Sequence, residues 1–191
     1  MDLAGRWPLE THLDVRDELL AAWAGPDRGY HDLRHLAEVL DRLTDLGSDD
    51  DVVRLAAWFH DGVHDGAADD EERSAVWAER VLPAGLGREV GRLVRTTERH
   101  RPDEGDERGR LLSDADLAIL AAPPGRYAEY VADVRREYAA VPDDDFARGR
   151  AAVLADLLAK PSLFHTDTAR RLWEDRARAN VTAELARLEE G

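Results

Sequence analysis

The sequence of 191 residues contains no cysteine and only one lysine, Lys160. Without cysteine, the chain has no disulfide framework, no cysteine-based metal site and no cysteine nucleophile. No apolar run approaches the roughly 18 residues that a membrane-spanning helix needs, and the charged N-terminal stretch lacks the apolar core of a signal peptide. These absences predict a cytoplasmic protein that has no membrane partner.

Basic residues are scarce relative to acidic ones, with 26 against 41 and a net charge of −15. Because binding to a nucleic-acid polymer requires a basic surface that neutralises phosphates, we expect no such partner. A small phosphorylated molecule stays compatible with this charge, since a few arginines and a metal ion can set the local field. Any phosphate clamp would consist of arginine, which makes bidentate contacts.

No segment shows the alternating pattern of a strand. Apolar residues instead recur at i, i+3, i+4 and i+7 along almost the whole chain, which is typical of amphipathic helices. With 43% apolar residues, the chain can bury one sizeable core and is short for two domains. The sequence therefore predicts an all-α bundle that forms a single domain over residues 1–191. We expect an N-terminal helix at 9–24, a central part over 30–121 with helices at 31–46, 50–61, 70–82, 86–100 and 112–121, and C-terminal helices at 125–139, 143–159 and 166–189.

The stretch Leu55–Asp65 (LAAWFHDGVHD) places the adjacent pair His60-Asp61 at the end of an apolar helix. A buried carboxylate without a partner is costly, so such a pair normally meets a cation or a firm hydrogen-bond partner. His35 lies on an earlier amphipathic helix, and Asp116 lies on a later apolar one. Because side chains from separate helices can converge on one divalent ion, the sequence predicts a metal centre formed by His35, His60, Asp61 and Asp116.

Two of these ligands have a competitor close by in the sequence. His31 and His35 are four residues apart and share a helix face, but His35 continues into the apolar side and is the expected ligand. Asp116 shares its helical face with apolar residues, whereas Ser113 or Asp114 is well placed as an N-cap. Asp116 is therefore the expected ligand, and Asp114 is the alternative.

The predicted ligands leave two positions open on an octahedral ion, which suits Mn²⁺ or Fe²⁺. One position would hold a water whose pKa the ion lowers, and the other would polarise a phosphoryl oxygen. The leaving group needs a general acid, for which His64, Asp65 and His31 are candidates, and Asp61 counts as catalytic as well as ligating. Substrate contacts are expected from His31, Arg34, Arg73, His100 and Arg178.

Structural roles compete with several of these assignments. His64 can be a partly exposed loop histidine, and His100 ends a predicted helix, where the helix dipole favours a histidine in any case. The spacing Asp69-x-x-Glu72 fits a capping box, which would make Glu72 a structural residue. Asn180 has an inward-facing position on the last predicted helix, where hydrogen bonds to the backbone are the common outcome.

The predicted metal ligands resemble the H…HD…D pattern of the HD superfamily of metal-dependent phosphohydrolases in order and spacing. The chain is more similar to one branch of that superfamily, which carries a YHxxxH motif, an EERSA segment, a DADL segment and an ARxNxxxEL-like helix. Those motifs match Tyr30–His35, Glu71–Ala75, Asp114–Leu117 and Ala177–Leu185 in this sequence. The similarity thus extends from about Leu20 to Leu185.

The resemblance implies an HD-type helical bundle whose ligands hold Mn, Mg, Fe, Ni, Co or Zn. It also implies hydrolysis of a phosphomonoester or phosphodiester, often in a nucleotide. Some members of the superfamily, such as alarmone hydrolases, carry HDxxED, whose acidic pair helps to orient water. In this sequence His64-Asp65 takes the place of that pair.

Two other functions stay open. HD bundles can house a di-iron pair, so one alternative is a non-haem iron oxygenase in which His64 and His100 are further ligands. The other alternative is a non-catalytic HD domain that binds a nucleotide or a protein partner. The sequence is also compatible with a homo-oligomer.

Overall fold

The computed structural model describes residues 2–190, apart from the side chain of Glu190, and within that range all regular secondary structure is helical. The predicted all-α fold is therefore confirmed. None of the helices is long and apolar enough to cross a lipid bilayer. The α-helices are α1 (Leu13–Trp23), α2 (Leu33–Asp45), α3 (Asp51–Phe59), α4 (Asp70–Val81), α5 (Ala84–Thr96), α6 (Glu107–Leu117), α7 (Pro124–Glu137), α8 (Asp143–Ala159) and α9 (Asp167–Glu190), with short 3-10 helices at Ala4–Arg6 and Ala118–Ala121.

The described chain divides into two compact units, the first ending at Asp116 and the second beginning at Leu117. All four predicted metal ligands belong to the first unit, whereas Arg178 belongs to the second. The single domain over residues 1–191 stays a prediction.

Helix α3 forms the centre of the first unit. Its residues Val53 and Leu55–Phe59 are all buried, and the helix packs against α2, α4 and α5. A helix that is apolar on every side is typical of a core position. Asp50 begins this helix by accepting a 2.8 Å hydrogen bond from the backbone N–H of Val52, which satisfies one of the free donors of the first turn.

Helices α4 and α5 are the most closely packed helix pair of the first unit, and two glycines of α5 make their close approach possible. A Cβ atom at Gly87 would lie 3.0 Å from the Ala78 carbonyl oxygen, and one at Gly91 would lie 3.1 Å from the Ala75 carbonyl oxygen. Because those contacts involve backbone atoms of α4, the neighbour cannot move away easily. Glycine at both positions therefore sets the distance between the two helices.

The second unit is organised around α9, which packs against α8 and the 3-10 helix Ala118–Ala121. Asn180 donates hydrogen bonds of 2.8 and 3.0 Å to the carbonyl oxygens of Leu120 and Ala122, as expected for an inward-facing asparagine. Glu184 is 3% exposed, accepts a hydrogen bond from Tyr127 and forms a 2.8 Å ion pair with Arg150. These polar contacts fix α9 against its neighbours.

Several helix boundaries differ from the predictions, and three of these differences affect candidate site residues. Helix α6 begins at Glu107 rather than at 112, so Ser113 and Asp114 lie inside the helix and the predicted N-cap role of these two residues was wrong. Helix α5 ends at Thr96, and His100 lies in the following segment. Helix α3 ends at Phe59, so His64 does not continue the helix that precedes His60.

Candidate metal centre

His35 lies in the first turn of α2, and its side chain is directed into the core. Asp32, the N-cap residue, accepts hydrogen bonds from the backbone N–H groups of Arg34 and His35, which fixes the start of the helix. His35 is 1% exposed, and its ring packs against those of Trp23 and Tyr30 at centroid distances of 6.0 and 4.6 Å. An imidazole buried to this extent needs polar partners for its nitrogens.

His60 directly follows the last residue of α3. Its Nδ1 lies 2.8 Å from the carbonyl oxygen of Ala57, and a hydrogen bond from Nδ1–H to that oxygen leaves Nε2 of the neutral ring with a free lone pair. The Nε2 atoms of His60 and His35 lie 3.1 Å apart. Two imidazole nitrogens at this distance require either a shared proton or a cation.

Asp61 and Asp116 complete this group, which we call the four-residue cluster. Asp61 Oδ2 lies 3.0 Å from His60 Nε2 and 3.5 Å from His35 Nε2. Asp116 Oδ1 lies 3.1 Å from His35 Nε2 and 3.6 Å from His60 Nε2. The carboxylate side chains are 14% and 15% exposed, whereas the imidazoles are 2% exposed or less. The four-residue cluster therefore reaches solvent on its carboxylate side.

The distances in the four-residue cluster fit a divalent metal ion. With bonds of about 2.1 Å, neighbouring ligands lie about 3.0 Å apart around an octahedral ion and about 3.4 Å apart around a tetrahedral one. The ligand atoms of His35, His60 and Asp116 all lie within 4.8 Å of one another, and Asp61 Oδ2 approaches both imidazoles. These histidine and aspartate side chains could thus hold a metal ion, as the sequence predicted.

Electrostatic interactions within the four-residue cluster oppose the effect of burial on the pKa values of its side chains. Burial alone lowers the pKa of His35, but hydrogen bonds with Asp116 and Asp61 raise it above its ordinary value. Burial likewise lowers the pKa of His60, but the charges of Asp61 and Asp116 raise it well above its ordinary value. The pKa values of both aspartates lie well below their usual range despite burial, mainly because of the charge of His60. The aspartates are therefore ionised, as metal ligands must be, and a bound cation would replace protons on the imidazoles.

His100 lies next to the four-residue cluster in a backbone conformation that is unusual for a histidine, with φ of 49°. Its Nε2 lies 3.7 Å from Asp116 Oδ2, and its Nδ1 lies 3.2 Å from Ser113 Oγ. Asp114, the alternative ligand, is fully buried in α6. Among the described residues, however, the aspartate of this segment that converges with His35 and His60 is Asp116.

His31 and His64 come together although helix α3 ends before His64. Their ring centroids lie 4.1 Å apart, and the ring of His31 lies 5.5 Å from that of His35. Burial raises the pKa of Asp61, but the charges of His60 and, to a smaller extent, of His31 lower it. The structure thus places this histidine pair beside the four-residue cluster, and His64 Nδ1 lies 3.9 Å from Asp70 Oδ2.

Asp65, in the loop that follows Asp61, binds Arg73 of helix α4. Arg73 donates hydrogen bonds of 3.0 and 2.6 Å to Asp65, lies 3.2 Å from Asp69 and forms a further ion pair with Asp70. These hydrogen bonds lower the pKa of Asp65 to about 2. The positive charge of Arg73 is therefore balanced by three carboxylates of its own loop and helix.

The predicted capping box at Asp69 and Glu72 was wrong. Asp69 is the N-cap residue of α4 but makes no side-chain capping hydrogen bond. Its carboxylate pairs with Arg73 instead, and Glu72 accepts hydrogen bonds of 2.6 and 2.8 Å from Arg95 of α5. Asp69 thus pairs with an arginine of the next turn, and Glu72 pairs with an arginine of the neighbouring helix, so neither carboxylate caps the helix terminus.

The two remaining arginines proposed as substrate contacts have carboxylate partners of their own. Arg34, whose side chain is 50% exposed, pairs with Glu38 at 3.2 Å. Arg178 pairs with Glu174 at 2.7 Å and donates to the backbone carbonyl groups of Leu158 and Lys160. Arg178 thereby joins the end of α8 to α9 inside the second unit.

Arg28 is a residue of the site that the sequence did not reveal. It donates hydrogen bonds of 2.7 Å to the carbonyl oxygen of His31 and 3.0 Å to that of Gly62. Its guanidinium group also lies over the ring of Trp23, 5.1 Å from the centroid. Arg28 therefore joins the segment that leads into His35 to the turn that follows Asp61. An arginine in a turn gives no pattern from which this role could be predicted.

Glu71 is a second residue near the site to which the sequence assigned no role. It is half-buried on the first turn of α4, and this burial raises its pKa, with further contributions from the charges of Asp61, Asp70 and Glu98. Glu71 thus adds to the negative field around Asp61. The sequence offers only the acidic run DDEER as a signal, and such runs are usually solvated.

Comparison with protein-family models, with curated proteins and with solved structures finds no match to this chain.

Proposed function

We propose that this protein is a metal-dependent phosphohydrolase acting on a small phosphorylated substrate, in particular a nucleotide phosphomonoester or phosphodiester. The observation that carries the proposal is the four-residue cluster, in which each imidazole Nε2 lies 3.0 to 3.6 Å from a carboxylate oxygen of Asp61 and of Asp116. The resemblance of these residues to the H…HD…D pattern supports the reaction class, and membership of the HD superfamily is part of the proposal.

His35, His60, Asp61 and Asp116 would hold the ion. Imidazole and carboxylate ligands favour Mn²⁺ or Fe²⁺, and they are compatible with Mg, Ni, Co or Zn. A divalent ion bound there lowers the pKa of a coordinated water and polarises a phosphoryl oxygen. The hydrogen bond of His60 to the Ala57 carbonyl group keeps the ring in the orientation that ligation needs. The partly exposed carboxylates mark the side from which water and substrate would enter.

His31 and His64 are the residues that we propose deliver a proton to the leaving group. Both belong to the segments that carry the candidate ligands; their rings are in contact, and the ring of His31 adjoins that of His35. Asp65 suits this role less well, because Arg73 keeps the pKa of Asp65 at about 2 and a general acid must hold a proton near neutral pH. Arg34 and Arg73 would have to exchange a carboxylate partner for a phosphate oxygen in order to bind substrate.

The first test is the metal content of the purified protein by mass spectrometry, measured beside Asp61→Asn and the matched variant Asp65→Asn. Both substitutions remove the charge of an aspartate that follows a histidine, but only Asp61 belongs to the four-residue cluster. We expect about one divalent ion per chain in the wild type and in Asp65→Asn, and little or none in Asp61→Asn. A phosphatase screen over nucleotides with the metal-loaded protein then tests the reaction class.

The outcomes separate the proposal from its two alternatives. Full metal content in Asp61→Asn would refute the ligand assignment. Two irons per chain, with oxygen consumption in the presence of a diol or phosphonate, would favour a non-haem iron oxygenase. The position of His100 Nε2, 3.7 Å from Asp116 Oδ2, is the observation that gives this alternative a further ligand. Tight nucleotide binding without turnover, whatever metal is added, would favour a non-catalytic binding module.

A further inference from the structure

Two oxygens of the same carboxylate face different partners at Asp116. Its Oδ1 lies 3.1 Å from His35 Nε2, inside the four-residue cluster. Its Oδ2 lies 3.7 Å from His100 Nε2. A carboxylate that ligates a metal through one oxygen is commonly held by a neighbouring donor at the other, which fixes the direction of the ligating oxygen. His100 Nε2 is the nitrogen beside that outer oxygen, at an ion-pair distance slightly longer than a hydrogen bond.

The backbone of His100 is held in an unfavourable conformation. Its φ of 49° lies in the left-handed region, which residues with a Cβ atom seldom adopt outside strained or functional positions. Three residues separate His100 from the end of α5, and its backbone N–H still donates to the carbonyl oxygen of Thr96 at 3.0 Å. The segment therefore turns sharply at His100 and directs its ring toward α6.

Ser113 lies beside one ring nitrogen of His100. Ser113 is fully buried and lies three residues before Asp116 in α6, so both side chains project from the same side of the helix. Its Oγ lies 3.2 Å from His100 Nδ1. When the Ser113 hydroxyl donates to Nδ1, the proton of the neutral imidazole is on Nε2 and faces Asp116 Oδ2.

We propose that Ser113 and His100 are positioning residues for the metal ligand Asp116: the Ser113 hydroxyl holds the His100 ring, and Nε2–H of that ring holds the outer oxygen of the carboxylate. This inference rests on the metal centre of the proposed function and is independent of the reaction that the centre catalyses. It gives His100 a role beside the metal ligand, in place of the substrate contact expected from the sequence.

The first experiment measures Mn²⁺ affinity by calorimetric titration for the wild type, Ser113→Ala and Thr97→Val. Removal of the Ser113 hydroxyl should weaken Mn²⁺ binding by about 10- to 100-fold, the effect typical of losing an outer partner of a metal ligand. Thr97 is the matched control, because its buried hydroxyl donates to the carbonyl oxygen of Val94 in the last turn of α5. Thr97→Val should leave the affinity unchanged.

The second experiment compares His100→Gly with His12→Gly. His12 is the other described non-glycine residue with positive φ, at 58°, and its Nδ1 also lies next to a hydroxyl, 2.9 Å from Thr11 Oγ1. Glycine tolerates this backbone conformation, so both variants should remain folded, as circular dichroism of the metal-free proteins would verify. Only His100→Gly should weaken Mn²⁺ binding and change the visible spectrum of the Co²⁺-loaded protein, which reports the geometry of the ligands.

The results distinguish failure of this inference from failure of the proposed function. If Ser113→Ala and His100→Gly both keep the Mn²⁺ affinity and the Co²⁺ spectrum of the wild type, the positioning role is overturned and the metal centre is not. A drop from two bound ions to one in His100→Gly would also overturn it, because His100 would then be a ligand. A wild-type protein that binds no divalent ion would overturn both proposals. Weaker Mn²⁺ binding in the two variants would support the inference even where the nucleotide screen finds no hydrolysis.

Discussion

The indole of Trp23 donates a 2.9 Å hydrogen bond from Nε1 to the backbone carbonyl oxygen of Trp58. This bond joins the end of α1 to the last turn of α3, two residues before His60. The same indole ring packs against the imidazole of His60, with 5.4 Å between centroids and 50° between the ring planes. Trp23 is fully buried, so it supports the candidate metal ligand His60 by a polar bond and by packing.

Replacing Trp23 by Phe should lower the free energy of unfolding. The substitution leaves the Trp58 carbonyl group buried without this donor, which costs about 1–3 kcal/mol, and the smaller ring adds the cost of a cavity. Chemical denaturation at neutral pH measures the loss. Trp77→Phe is the matched control, because Trp77 Nε1 has no hydrogen-bond partner among the described residues. Equal losses in the two variants would contradict the role of the Trp23 hydrogen bond.

Asp65 provides a prediction about pH. Hydrogen bonds from Arg73 lower the pKa of Asp65 in the folded protein to about 2, from the ordinary value of 3.8. Because the folded-state value is the lower one, the stabilising effect is present in full above the unfolded-state pKa and disappears as the pH falls from about 4 to about 2. In Arg73→Gln, a carboxyl NMR titration should find the pKa of Asp65 close to 3.8, and stability should fall less steeply over that pH range.

Arg95→Gln is the matched control for this titration. Arg95 makes a comparable pair of hydrogen bonds with Glu72 in the same helix pair and lowers the pKa of that residue. The control should therefore raise the pKa of Glu72 and leave that of Asp65 near 2. If the pKa of Asp65 stays near 2 in Arg73→Gln, a group other than Arg73 keeps that pKa low.

The residues of the four-residue cluster could be predicted because each lies within an apolar helical pattern where a charged or polar side chain is exceptional. His35, His60 and Asp116 are the described residues whose ligand atoms converge there, with Asp61 adjoining. The apolar run of α3 also predicts its central position. Local patterns suffice in these cases, because burial of the helix face determines where the side chain points.

The start of α6 could not be predicted, because its first turn contains no apolar residue. Two ion pairs with residues distant in the sequence stabilise that turn: Arg108 pairs with Asp50 at 2.8 Å, and Asp106 pairs with Arg92. Asp106 also accepts a 3.0 Å hydrogen bond from the backbone N–H of Gly109 in the same turn. The same limitation explains the wrong capping box at α4. Which arginine binds which carboxylate depends on the folded arrangement, and 26 basic and 41 acidic residues allow very many pairings.

Arg28 provides the last prediction, since it joins the two segments that carry the candidate ligands His35, His60 and Asp61. Its two hydrogen bonds, to the carbonyl oxygens of His31 and Gly62, need the planar fork of a guanidinium group, which lysine lacks. Arg28→Lys and Arg28→Ala should therefore both weaken Mn²⁺ binding, by about 10-fold or more, as expected for a residue that orients ligands indirectly. Arg42→Ala is the control, because Arg42 pairs with Asp45 on the exposed side of α2. If the Arg28 variants bind Mn²⁺ as tightly as Arg42→Ala does, packing around Trp23 is enough to orient the candidate ligands without Arg28.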